Sequence, residues 1–155
     1  MMEFPELPLD DEPETFVSFY FEDVEFELPD QQILVNWLLS IATAENKPVY
    51  ELTYIFCSDE YLRQINMEHL DHDYYTDIIT FPYTNGVVHG DIFISSERVA
   101  DNARTHDVPF LHELGRVMAH GVLHLAGYGD KSEDEARTMR AKEDFYLKTA
   151  PGLTA

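Results

Sequence analysis

Apolar positions recur along the chain first with a period of two and later with a period near 3.6. Thr15 to Phe21 is aromatic and β-branched, which predicts a strand. Pro29-Asp30 then opens a helix carrying Ile33, Leu34, Trp37, Leu38 and Ile41 on one stripe, read as core packing rather than a base-stacking platform. Val49 to Cys57 alternates as a second strand, with Leu52, Tyr54 and Phe56 on one face. Ser58 caps a short helix running to about His69. Asp77 to Pro82 predicts a third strand, and Asn85-Gly86, the strongest hairpin dipeptide, leads into a fourth from Val87 to Ile94. From Ser95 onward the pattern is helical: Ser95 to Thr105, Pro109 to Leu125, and Ser132 to Lys148. Pro109 suits a first helical turn, and Ser132 with Glu135 forms a capping box. The expectation is an α+β fold, a single domain over residues 15–150 with a small mixed sheet of about four strands. An acidic leader, residues 1–14, precedes it and holds Pro5, Pro8 and Pro13.

Composition narrows the picture. At 45% hydrophobic and 13% aromatic, the 155 residues can bury a core, so wholesale disorder is excluded. The longest apolar runs fall far short of the ~20 residues of a membrane span, and no basic segment opens the chain as a secretory signal would. The lone Cys57 cannot form an internal disulfide, which suits a cytoplasmic location. Charge is the unusual feature. Thirty acidic against ten basic residues give −20, and no Lys or Arg precedes Lys47. A field of this sign repels polyanions, so the basic footprint of a nucleic-acid binder is missing and DNA is not an expected partner. The excess itself reads as a solubility adaptation.

The chemistry concentrates in His120-Gly-Val-Leu-His124-Leu-Ala-Gly127-Tyr-Gly129-Asp130. His120 and His124 are i and i+4 on a helix, so their imidazoles project from one face within reach of a single ion. Gly127 can take the positive φ that ends the helix, and the reversed chain brings back Asp130. Two imidazoles and a carboxylate suit Zn²⁺ and leave a fourth position for water, as a catalytic site requires. The competing explanation is two packed core histidines, with Asp130 capping the next helix. The turn glycine and the spaced acid favour one zinc ion held by His120, His124 and Asp130.

The same spacing resembles the metzincin peptidases, whose general base is a Glu beside the first ligand. Here that position is Gly121. A closer resemblance is to the YbeY family of bacterial endoribonucleases (ribosomal RNA maturation factors), which share H-G-x-L-H-L-x-G-Y-D-H. Thr76-Asp77-Ile78-Ile79-Thr80-Phe81-Pro82 is similar to that family's T-D-V-L-S-F-P, and Gly90-Asp91-Ile92 to its G-D-I strand. The likeness runs from about Leu52 to Leu147.

This resemblance implies a zinc-dependent endoribonuclease, a hydrolase of single-stranded RNA. It would act in small-subunit ribosomal RNA maturation and ribosome quality control, with ribosomal RNA and the small ribosomal subunit or an associated protein as partners. His120 and His124 match the family's first two ligands. The third departs, since the family's D-H stands here as Gly129-Asp130-Lys131, and a different register would offer Asp134 or Glu133. The family's arginine six residues before its T-D motif is here Leu70. Arg63 and Arg116 are the cations considered in its place. Arg116 lies one turn before His120 and either reaches a phosphate beside the metal or forms a salt bridge with Glu113 or Asp77. His69, His72 and His89 are read as surface or core histidines. Bound zinc would serve as Lewis acid and water activator. Two alternatives remain at this stage: a metallopeptidase-like hydrolase, and a non-catalytic ribosome-assembly factor with structural zinc.

Overall fold

The computed structural model describes residues 16–151; the expected leader 1–14 and the first residue of the expected first strand lie outside them. Strand β1 (Val17–Phe21) runs parallel to β2 (Val49–Cys57), and helix α1 (Gln31–Ala44) makes the crossover a parallel pair requires. Helix α2 (Asp59–Leu70) follows, then β3 (Ile78–Pro82) and β4 (Val88–Ser95), an antiparallel pair turned at positive-φ Gly86. β4 also pairs in parallel with β2, giving one mixed sheet of four strands in the order β1-β2-β4-β3. Helices α3 (Ser96–His106), α4 (Phe110–Leu125) and α5 (Glu133–Leu147) complete an α+β domain.

The caps mark why the helices begin where they do. Asp30 accepts from Gln32 and Ile33 N–H, Ser58 from Tyr61, and Ser95 from Arg98, each satisfying a donor the helix itself leaves open. Ser132 and Glu135 form the reciprocal capping box. Because Ser95 is the cap, α3 starts one residue later than the periodicity suggested.

Strand alternation sorts residues to two faces. Leu52, Tyr54 and Phe56 of β2 with Ile92 and Ile94 of β4 meet α4, whose Leu114, Met118, Val122 and Leu123 are wholly buried. The Tyr54 hydroxyl, deep in this layer, donates to the Met118 carbonyl at 2.7 Å. On the other face Cys57 and Ile79 pack with Leu62 of α2. The Cys57 thiol is pushed up to about 12 by burial and by the surrounding Asp23, Glu22, Asp59 and Glu97, so it is an inert packing residue.

The α1 stripe needs one correction. Leu34, Trp37, Leu38 and Ile41 are buried, but Ile33 is 49% exposed. Trp37 on the same flank is covered because its indole reaches α5 and donates to the Tyr146 carbonyl. The shorter Ile33, one turn earlier, has no such cover.

Candidate metal centre

Helix α4 carries His120 and His124 one turn apart, with ring centroids 6.3 Å apart and ring planes only 9° from parallel. Each ring is held through Nδ1. His120 Nδ1 lies 2.7 Å from Glu143 Oε2 of α5, and His124 Nδ1 lies 3.1 Å from the Tyr128 carbonyl. A carbonyl oxygen only accepts, so His124 donates from Nδ1 and its Nε2 is left outside that bond. Orientation of a ring by an acceptor at its far nitrogen is the usual support of a metal-ligating histidine.

The turn after α4 comes from sequence. Gly127 adopts φ +117°, a conformation costly for any residue with a Cβ, and Tyr128 N–H closes back on the Leu123 carbonyl. The chain reverses and sets Asp130 Oδ2 3.2 Å from His120 Nε2. Asp130 caps nothing; Ser132 does. Asp134 instead pairs with Arg137 on exposed α5, as a first-turn acid.

His120 therefore stands between Glu143 and Asp130. Burial alone would push its imidazole down, but Glu143, Asp130 and Asp77 outweigh it and hold the pKa above its ordinary value. The residues fit a zinc ion in kind, since a proton on Nε2 and a borderline divalent cation compete for one lone pair beside the same carboxylate. They do not form a ready cage. Among the described residues no three His, Cys, Asp or Glu side chains are arranged to hold an ion, and Asp130 meets His120 at 3.2 Å.

Gly121, one position past His120, faces the sheet. A Cβ there would lie 2.6 Å from Ile92 Cδ1 and 3.4 Å from Ile78 Cδ1. A glutamate at this point of the fold would be driven into the apolar layer, away from the cleft.

His120, His124, Asp130 and Glu143 line a cleft of about 700 Å³ floored by α4, with β3 and the loop before it on one side and α5 on another. Arg116 lies there, but its guanidinium is engaged by acids: Nη1 meets Glu143 at 3.0 Å and Nη2 meets Asp144 at 2.8 Å. Of the two expected partners, Glu113 lies at 4.0 Å from Nε, and Asp77 forms no ion pair with it. Arg63 is paired with Glu60 and Asp73 outside the cleft. Leu70 lines the cleft. Of the other histidines, His69 packs edge-on against Phe81, His89 lies between Tyr50 and Tyr83, and His72 sits exposed at the cleft lip.

Four cleft residues went unassigned from sequence. Glu143 was invisible because its partner is 23 positions away. Asp77 stands within a motif already noted, yet only the fold shows its burial. That burial raises its carboxyl above the ordinary range, with His120 partly opposing. Lys131 and Arg140 also line the cleft, and their positions on the turn and on α5 carry no local signal.

A family model described as Endoribonuclease YbeY matches residues 17–150. The chain is 51% identical over 129 residues to an endoribonuclease YbeY of Flavobacterium johnsoniae, covering 83% of this chain and 92% of the relative. It is 51% identical over 136 residues to that of Cytophaga hutchinsonii, covering 86% and 95%. The solution structure of TM1509 from Thermotoga maritima is similar at TM-score 0.60 and 27% identity, covering 85% of this chain and 87% of that one.

Proposed function

We propose, from the premise that this chain belongs to the endoribonuclease YbeY family, that it is a zinc-dependent, single-strand-specific endoribonuclease. In this reading it acts in the cytoplasm on small-subunit ribosomal RNA, in maturation and ribosome quality control, with the small subunit or an associated protein as partner. The observation that carries the zinc assignment is the paired support of two imidazoles at Nδ1, by Glu143 and by the Tyr128 carbonyl, beside Asp130 in one cleft.

His120, His124 and Asp130 would hold the ion. When bound, it supplies Lewis-acid polarisation of a phosphoryl oxygen and a water of lowered pKa. The protein's own residues supply orientation and proton handling. Glu143 fixes the His120 ring through one oxygen, and Arg116 pairs with its other oxygen at 3.0 Å, which holds the carboxylate in place. Asp77 lines the same cleft, its carboxyl raised above the ordinary range by burial, and is the candidate in this reading for passing a proton to the leaving oxygen. The peptidase alternative is disfavoured, since its base position is Gly121, packed on Ile92. General-base catalysis typically supplies ~10²–10⁴-fold.

The test sets an unstructured oligoribonucleotide beside casein, for the unmodified protein and for His124→Ala. Cleavage of the RNA alone, lost in His124→Ala, is expected. Zinc-dependent proteolysis at a comparable rate would overturn the nuclease reading.

A further inference from the structure

The chain has thirty acids and ten cations, and most of its cations are consumed locally. Arg63 pairs with Glu60 and Asp73, Arg98 with Asp59, Arg104 with Asp101, Arg137 with Asp134, and Lys142 with Glu45. Arg116 is held by Glu143 and Asp144. Lys47, Lys131 and Lys148 have no ion pair among the described residues, and the Arg140 guanidinium has only Glu143 at 3.9 Å while its side chain is 56% exposed. Of these four less committed cations, Lys131 and Arg140 line the cleft that holds His120 and Asp130.

The lip formed by the α2–β3 loop is of another character. His72 and Tyr74 stack at 5.2 Å with ring planes 21° apart, and the Tyr74 hydroxyl meets His72 Nδ1 at 3.0 Å. Tyr74 is 52% exposed, yet the loop is fixed: buried Asn66 donates to the Tyr74 carbonyl and accepts from His72 N–H through its own carbonyl. An exposed aromatic pair held rigid beside a cleft offers a stacking surface at little ordering cost. Single-strand binders combine such surfaces with cations that track the phosphates.

We propose that a single RNA strand lies across the cleft with phosphates gripped by Lys131 and Arg140 and a base stacked on the Tyr74–His72 lip. This rests on the RNA reading above and assigns the subsites within it.

The experiment measures binding of a short unstructured 2′-O-methyl oligoribonucleotide by fluorescence anisotropy over a range of KCl. Two neutralised cations on a single strand correspond to a log–log slope shallower by about 1.4, and to affinity lower by roughly 25-fold at about 0.1 M salt. Lys131→Gln/Arg140→Gln should show both changes. Arg137→Gln/Lys148→Gln alters net charge equally but lies outside the cleft, and should show neither. Tyr74→Ala should weaken binding about tenfold with the slope unchanged, whereas Tyr83→Ala, another exposed tyrosine, should not. Equal effects of the two charge pairs, or of the two tyrosines, would overturn the subsite assignment while leaving the RNA reading intact. Absence of binding by the unmodified protein would overturn both.

Discussion

Which nitrogen of each imidazole carries the proton decides what the site can hold. The Tyr128 carbonyl accepts from His124 Nδ1 and leaves Nε2 outside that bond, and Glu143 with Asp130 brackets His120. Alanine at His120, His124 or Asp130 should each cut zinc content sharply in purified protein analysed for metal. Asp130→His should retain the ion, because an imidazole offers an equivalent donor. Full zinc occupancy in Asp130→Ala would contradict the third-ligand assignment. Glu143→Gln tests the support instead of the ligands. It keeps an acceptor for His120 but removes the charge, and zinc affinity by competition with a chelator should fall about 10–100-fold. The histidines were legible in sequence because i and i+4 is a local geometry. Glu143 was not, since its role depends on how α5 packs on α4.

Element packing explains two features that local pattern could not show. Gly121 lets α4 settle on β4 at Ile92. Helix propensity alone would reward Gly121→Ala by about 1 kcal/mol, but overpacking a filled layer costs about 1–3 kcal/mol. A net loss of about 1 kcal/mol is expected in urea unfolding, and stabilisation would mean that the helix can lift off the sheet. Glu45, at the C-cap of α1, is the second feature, since an acid there opposes the helix dipole. It is retained by contacts from distant elements: hydroxyls of Tyr128 and Tyr146 donate to it, and the Lys142 ammonium lies at 3.0 Å. Burial pushes its carboxyl up, but these partners outweigh burial and hold it below the ordinary value of 4.5. A depressed folded pKa means stability present above the unfolded value and lost as pH falls through the folded one. The difference in urea midpoint between the unmodified protein and Glu45→Gln should therefore shrink as pH is lowered from neutral to below 4.5. A pH-independent difference would refute this assignment. Capping boxes and turns were readable because they are short-range, whereas strand order and the exposure of Ile33 depend on partners far along the chain.

For the whole molecule, the sign of the charge is legible from composition, but its distribution is not. A net −20 argues against a broad basic groove, and the fold agrees by pairing most cations with neighbouring acids. What remains is a cleft whose cations are few, in which the proposed metal and stacking lip would carry much of the affinity for RNA. On the proposed function, this cleft cleaves RNA only when it holds zinc. Stripping the protein with a chelator and restoring zinc stepwise, while following initial cleavage of an unstructured oligoribonucleotide alongside bound metal, tests this. Activity should be absent at the start, rise in proportion to bound zinc and level off at one ion per chain. Cleavage that persists in the stripped protein, or stays absent once one ion is bound, would contradict it.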